Sequence, residues 1–293
     1  MGSSPRRDDT CRLRDGRKLA YAEWGPADGR PVLAFHGTPG SRLWSPDDFD
    51  PGMTTTECGV RLITVDRPGY GASDPLPGRT LLGWANDVEQ LLDELSIDRC
   101  PMVGVSGGGP HAMACAVRLP QRVARLGLVS SPSPVFHVPG VWDGLGQEWR
   151  DVLERAERDR FAILDEARAR YGWLVTDPES AGNPANWPEV DRWLAEDPET
   201  RHALVSFVRE AGRQGVDGLV WDELALTLPW GFTPGEVRVE SWLWHGDRDS
   251  IVDRVEFDIL CREIAGSHCA LYAGEGHMLR GHWGEIFGAL TAA

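Results

Sequence analysis

A serine set among glycines, directly after a short apolar run, limits the possible folds of this chain more than any other feature. The run ends at Ser106, and small residues compatible with a helix follow it. This pattern predicts a strand, a sharp turn and a helix, and residues 104–108 match G-x-S-x-G. Side chains in place of Gly104 or Gly108 would collide with the adjoining helix and strand, and the serine itself would have a strained backbone. We therefore predict a nucleophile elbow that projects the Ser106 hydroxyl above the edge of a sheet.

A phosphate-binding turn is the alternative interpretation of this stretch, because glycine-rich turns from strand to helix also bind phosphate at the helix N-terminus. A dinucleotide-binding turn needs G-x-G-x-x-G, and a P-loop needs Gly-Lys-Ser/Thr. Neither pattern is present here. We therefore favour the elbow and expect neither a cofactor nor a metal ion.

Apolar runs typical of buried strands alternate with helical patterns along most of the chain. The elements predicted before residue 131 are a hairpin over 11–24 with its turn at Asp15-Gly16, strands at 31–35 and 60–65, a helix that begins after Thr80, the strand before Ser106, and a strand at 124–129. Those predicted after residue 233 are a strand at 237–244, a helix at 255–264, a strand at 268–273 and a helix near 283–290. This alternation predicts a mostly parallel sheet with helices on both faces, preceded by a flexible terminus at 1–10.

Residues 131–233 have a different pattern, with no strand-like run, frequent prolines and several amphipathic helical segments. We predict that they form an inserted helical cap, or lid, on an α/β core made of residues 11–130 and 234–293. Seven of the thirteen tryptophans fall in the insertion, at positions 142, 149, 173, 187, 193, 221 and 230. Tryptophan suits a pocket wall that is partly wet and partly apolar, although for any single one of them simple packing is the favoured interpretation.

The formal net charge of −15 argues against nucleic acid and anionic membranes as partners, which leaves a small-molecule substrate. The N-terminal residues are polar, and no run of about 18 apolar residues occurs, so we expect a cytoplasmic protein. The six cysteines include no C-x-x-C pair, and several lie in apolar runs, which favours buried free thiols. They are Cys11, Cys58, Cys100, Cys115, Cys261 and Cys269.

A serine nucleophile needs a base to take its proton and an acid to hold that base in one tautomer. Functional groups of parallel sheets gather beyond the carboxyl ends of the strands, where Asp249 and His277 directly follow predicted strands. Their order along the chain, serine, aspartate and histidine, is that of a Ser-Asp-His triad built on an elbow. Asp247 lies in the same loop and competes with Asp249 for the acid. The other candidate bases fit less well, because His268 begins a strand and His282 lies inside or beside the last helix.

The chain resembles the α/β-hydrolase fold family from Leu19 to Leu290. The resemblance rests on the His-Gly loop at 36–37, the Asp-Arg-Pro-Gly-Tyr-Gly loop at 66–71, the elbow, the helical insertion, and the loops with the acid and the histidine. It implies an α/β-hydrolase fold with an inserted helical cap. The family's H-G-x-x-D-x-x-V arrangement is matched by residues 245–252 and favours Asp249 over Asp247. The Gly-Glu-Gly-His stretch that ends at His277 resembles the segment of the catalytic histidine.

Acyl transfer also needs N–H donors aimed at the oxyanion that develops on the substrate. One donor is expected to be the amide of Gly107, directly after the nucleophile. The second should come from the loop after the strand that ends at Phe35, and because Pro39 has no N–H, Gly37 or Thr38 must supply it. The resemblance favours Thr38. We interpret His36 as a structural residue that orients this loop.

These features predict a serine hydrolase that cleaves an ester, thioester or lactone of a moderately apolar small molecule through an acyl-enzyme. An epoxide hydrolase or haloalkane dehalogenase of the same fold would have an aspartate in place of Ser106. Three alternatives stay open. The first is an enzyme of a biosynthetic pathway that performs acyl transfer, C–C cleavage or cyclisation. The second is a proline iminopeptidase-like aminopeptidase that captures the substrate amine with acidic cap residues, and the third is a non-catalytic ligand-binding protein.

Overall fold

The computed structural model describes residues 4–50, 54–135, 141–144 and 146–292. At its centre is an eight-stranded sheet with the order β1-β2-β4-β3-β5-β6-β7-β8. The strands are β1 (Arg7–Arg12), β2 (Lys18–Trp24), β3 (Arg30–Phe35), β4 (Val60–Val65), β5 (Cys100–Val105), β6 (Val123–Val129), β7 (Ser241–Gly246) and β8 (His268–Tyr272). Strand β2 pairs antiparallel with β1 and β4, and every other neighbouring pair is parallel. The predicted mostly parallel sheet is confirmed.

Helices cover both faces of the sheet. They are α1 (Leu81–Glu94), α2 (Gly108–Arg118), α3 (Val141–Gly144), α4 (Gln147–Arg158), α5 (Leu164–Tyr171), α6 (Trp173–Thr176), α7 (Trp193–Glu196), α8 (Pro198–Ala211), α9 (Asp217–Thr227), α10 (Arg254–Glu263) and α11 (Trp283–Thr291). One core cluster joins α1, α2 and α10 to the sheet, and the other joins α8 and α11 to its opposite face. Alternate residues of β3 enter the two clusters, as expected for a strand buried on both faces.

Local sequence explains where several elements begin. Helix α1 starts after Thr80, whose hydroxyl accepts the Gly83 N–H at 3.0 Å. Strand β7 starts at residue 241 rather than 237, because Pro234–Glu236 form a 3₁₀ turn closed by a capping box between Thr233 and Glu236. Between β6 and β7 the described residues contain helices and 3₁₀ turns but no strand. Part of this insertion has its own core cluster around Leu153 and Trp221.

Two sequence-based expectations are wrong. The terminus predicted to be flexible through residue 10 joins the sheet from Arg7 onward, because Arg6 and Arg7 pair with the buried carboxylate of Glu23 on β2. The cysteines are not all free, since Cys261 of α10 and Cys269 of β8 form a disulfide. The other four are free thiols, of which three are buried and Cys58 is half-buried.

Among the described residues, no helix combines the length and the apolar character needed to cross a membrane.

Candidate active site

Ser106 lies in a tight turn between β5 and α2 and has a positive φ of 52°. The glycines around it are required by close packing. A Cβ on Gly104 would meet the backbone of Gly108 and Gly109, and a Cβ on Gly108 would meet the carbonyl group of Phe35. Ser106 therefore has the strained backbone and the glycine neighbours of a nucleophile elbow.

Asp249 and His277 follow β7 and β8, and their side chains form a hydrogen bond of 2.7 Å between His277 Nδ1 and Asp249 Oδ2. Asp249 Oδ1 also accepts the N–H groups of Ile251 and Val252, at 2.8 and 3.0 Å. Burial alone would raise the pKa of Asp249, but the hydrogen bond and charge of His277 and the two backbone donors lower it below its ordinary value. Asp249 is therefore an ionised, fixed acceptor for the histidine.

The structure separates the competing candidates from this pair. Asp247 accepts the N–H of Gly274 at 2.7 Å and so links the loop after β7 to the end of β8. His268 is exposed and stacks on Trp242. His282 stacks on Tyr272 at the start of α11. None of these contacts reaches His277.

Ser106 and His277 line one cavity of about 620 Å³. Among the described residues, no hydrogen bond joins the Ser106 hydroxyl to His277, and in enzymes without substrate this contact is often loose. The wall is mainly aromatic and aliphatic, and none of the described residues that line it is Asp, Glu, Lys or Arg. Its residues are Gly37, Thr38, Pro39, Trp44, Val105, Ser106, Trp173, Ser180, Ala181, Asn186, Trp187, Pro188, Leu194, Leu204, Phe207, Val208, Ile251, His277 and Met278.

Most tryptophans of the insertion pack the fold rather than line this cavity. Trp173 and Trp187 contribute to its wall, as does Trp44, which the sequence did not single out. The remaining described ones pack elsewhere: Trp142 and Trp221 in the insertion's own cluster, Trp193 under Arg280, and Trp230 against Phe232. The side chain of Trp149 lies outside the described residues.

The loop after β3 brings Thr38 beside the elbow. A Cβ on Gly107 would collide with the Thr38 side chain, and a Cβ on Gly37 would lie 3.4 Å from Ser106 Cβ. The two expected oxyanion donors, Gly107 and Thr38, thus lie next to each other at the serine. His36 is buried, with its Nδ1 2.7 Å from the Gly37 carbonyl oxygen, which agrees with a role in orienting this loop.

Two buried carboxylates of the insertion contact the loops of this site, and sequence reasoning missed both. Asp191 accepts the backbone N–H of His277 at 3.0 Å, and burial raises its pKa. Asp222 of α9 accepts the Thr38 hydroxyl at 2.6 Å. One signal could have indicated Asp222, since it and Glu223 are two acids within the otherwise apolar stretch 219–225, although this signal does not choose between them. No comparable signal surrounds Asp191.

Glu256 of α10 predicts a measurable pH dependence of stability. Burial raises its pKa to about 7, although it accepts the backbone N–H of Ser133 at 2.8 Å. The folded state then binds a proton more tightly than the unfolded state, so stability falls as the pH rises from about 4.5 to about 7, by roughly 3 kcal/mol. We expect Glu256→Gln to match the wild type at pH 5 and to unfold several degrees higher at pH 8.

Thermal unfolding at the two pH values checks this prediction. Glu263→Gln, at an exposed position of the same helix, is the matched control. Its melting temperature should equal that of the wild type at pH 5 and at pH 8. Equal melting temperatures of Glu256→Gln and wild type at pH 8 would contradict it.

A sequence model of a family described as alpha/beta hydrolase fold matches residues 30–279. A non-heme chloroperoxidase of Streptomyces lividans is 40% identical over 130 residues, which are 43% of this chain and 46% of that protein. A 2-hydroxy-6-oxononadienedioate/2-hydroxy-6-oxononatrienedioate hydrolase of Cupriavidus pinatubonensis is 34% identical over 277 residues, or 88% and 82% of the two chains. An esterase of Exiguobacterium antarcticum superposes with a TM-score of 0.67 at 21% identity, over 100% and 98% of the two chains. The chain spans about half the length of several curated relatives that it matches.

Proposed function

This chain belongs to the α/β-hydrolase fold family, and we propose that it is a serine hydrolase that cleaves a neutral ester, thioester or lactone through an acyl-enzyme. One observation carries the proposal. The strained Ser106 and His277, which is paired with Asp249, line the same apolar cavity beside the two expected oxyanion donors. The family relatives named as esterases and hydrolases agree with this class of reaction.

In the proposed mechanism, Ser106 Oγ attacks the carbonyl carbon while His277 takes its proton. Asp249 holds Nδ1 of the imidazole and stabilises the imidazolium that forms. The N–H groups of Gly107 and Thr38 bind the oxyanion of the tetrahedral intermediate. His277 then gives the proton to the leaving alkoxide or thiolate, which leaves Ser106 acylated. A water molecule then gives a proton to His277 and attacks the acyl carbonyl carbon. The tetrahedral intermediate that results breaks its bond to Ser106 Oγ, which takes the proton back from His277, and the acid is released.

The cavity wall supports an uncharged substrate. An ionised group buried without a partner costs several kcal/mol, and the described part of the wall has no basic residue to pair with a carboxylate. It also has no acidic residue to bind the substrate amine that an aminopeptidase of the iminopeptidase type must capture. We assign the wall to the cap, residues 131–233, together with the loops of the α/β core, so that the cap selects neutral apolar acyl or alcohol groups.

Hydrolysis of a C–C bond is the second candidate, because the relative with 34% identity over 277 residues is named for that class of substrate. A dioate carries two carboxylates, however, and the described cavity wall offers them no arginine or lysine. If this chain cleaves C–C bonds, the structure favours a neutral ketone over a dianion.

Matched acyl groups test the proposal. The 4-nitrophenyl esters of pentanoic acid, 5-aminopentanoic acid and glutaric acid have acyl chains of similar length that end in a methyl, ammonium or carboxylate group. We expect kcat/KM for the pentanoate to exceed the values for both charged esters by at least about 100-fold, since an unpaired buried charge costs several kcal/mol. A preference for either charged ester would refute the neutral substrate class. Turnover of a 2-hydroxy-6-oxo dienoate without turnover of any ester would favour the second candidate.

A further inference from the structure

Asp222 is the buried centre of a hydrogen-bond network that reaches from the insertion to the catalytic loops. Its carboxylate is inaccessible to solvent. It accepts the Thr38 hydroxyl at 2.6 Å, Arg67 Nη2 at 2.6 Å and Arg79 Nη2 at 2.7 Å. The Tyr70 hydroxyl is 3.3 Å away. The charges of Arg67 and Arg79 keep the pKa of Asp222 well below its ordinary value in spite of burial, so the acceptor is ionised.

Arg67 fixes the direction of the peptide that carries the Thr38 N–H. Its guanidinium donates to the carbonyl oxygens of His36 and Gly37, at 2.5 and 3.0 Å, and to the Thr38 hydroxyl at 2.9 Å. In a planar trans peptide the C=O and the following N–H point in opposite directions. Because the Gly37 carbonyl points to Arg67, the Thr38 N–H points away from it.

The same carboxylate also connects to the other expected donor. Nε2 of His111 is 3.3 Å from Asp222 Oδ1, and Nδ1 is 2.9 Å from the carbonyl oxygen of Gly107. Burial lowers the pKa of His111, so the ring is neutral at neutral pH and donates its one proton to one of these two acceptors. The side chain of His111 therefore lies between Asp222 and Gly107, whereas Thr38 contacts Asp222 directly.

We propose that Asp222 is a positioning residue of the oxyanion hole, which holds the loop of Thr38 through the threonine hydroxyl and Arg67. The proposal rests on the proposed serine hydrolase function and extends it. An oxyanion donor acts at about 2.7–3.1 Å from the oxyanion, and a misplacement of about 1 Å can cost about 100-fold in rate. A carboxylate on the insertion therefore sets the rate of the chemical step, in addition to any effect of the insertion on substrate binding.

Replacements of Thr38 separate this role from simple stability. Thr38→Val removes the hydroxyl that Asp222 accepts and keeps the backbone N–H. We expect a 10- to 100-fold loss in kcat on a neutral 4-nitrophenyl ester, a KM within about twofold, and a matching loss of affinity for an alkylboronic acid that forms a tetrahedral adduct with Ser106. Thr38→Ser keeps the hydroxyl and should recover most of that loss.

Asp222→Asn should lower kcat at least as much as Thr38→Val, because the Thr38 hydroxyl and Arg67 both lose their charged acceptor. Asp217→Asn, at a half-buried position of the same helix, removes a carboxylate that pairs with Arg168 and makes no contact with Thr38; it is the control and should retain wild-type kinetics. If Asp222→Asn does not fold, the kinetics of Thr38→Val and Thr38→Ser alone test the positioning role. A wild-type kcat in Thr38→Val with only a lower melting temperature, or a loss that Thr38→Ser fails to recover, would overturn the positioning role. A wild-type protein that neither hydrolyses the ester nor reacts with a fluorophosphonate would instead refute the proposed function itself.

Discussion

Ser106→Ala will reduce turnover of a neutral 4-nitrophenyl ester by about 10⁵- to 10⁶-fold, the effect typical of removing a serine nucleophile. The alanine methyl group fits the turn, since only the hydroxyl is removed, and the flanking glycines still allow the close approach of Gly104 to Gly108. The fold should therefore survive, as judged by circular dichroism and thermal unfolding.

Intact-mass measurement after treatment with a fluorophosphonate identifies the nucleophile directly. We expect one adduct on the wild type and none on Ser106→Ala. Ser267→Ala, in the turn before β8, is the matched control and should be labelled and active like the wild type. Turnover of a pure Ser106→Ala sample at the wild-type rate would show that this serine is not the nucleophile.

The residues of the candidate triad could be predicted because each lies in the turn or loop that follows a strand. Parallel strands bring their carboxyl ends to one edge of the sheet. Ser106 and Asp249 are 143 positions apart in the chain, and Asp249 and His277 are 28 positions apart. Once the strands are recognised, all three residues are expected at that edge. The choice between Asp249 and Asp247 depended on the family resemblance, because both lie in one loop of five residues. Only the structure places Asp249, and not Asp247, against His277.

The network around Asp222 could not be predicted in the same way. Its contact with Thr38 spans 184 positions and arises from how α9 docks on the loop after β3, which no periodicity in the sequence encodes. Arg67 was visible as part of a turn-rich loop, but its side chain is fully buried and its role depends on the carbonyl oxygens that surround it. The disulfide was missed for another reason, because Cys261 and Cys269 are only eight positions apart but meet across the turn that joins α10 to β8, and their spacing is not a recognised paired motif.

Asp249→Asn will lower kcat by about 10⁴-fold, whereas Asp247→Asn will stay within about twofold of the wild type. An asparagine at 249 can donate its amide N–H to Nδ1 of His277, which moves the imidazole proton to the nitrogen that must accept the proton of Ser106, and this wrong tautomer costs about 10⁴ in kcat in a Ser-His-Asp enzyme. In Asp247→Asn the amide oxygen still accepts the Gly274 N–H, so the loop after β7 keeps its hydrogen bond to the end of β8.

Steady-state kinetics of both variants on the same ester distinguish the two acids, and equal losses would contradict the assignment of Asp249. Combining Asp249→Asn with Ser106→Ala adds a second test. Residues that act as one unit are strongly non-additive, so the double variant should be no slower than Ser106→Ala alone. A further large loss in the double variant would mean that Asp249 acts on the reaction by a route other than His277 and Ser106, which is the one outcome that a triad forbids.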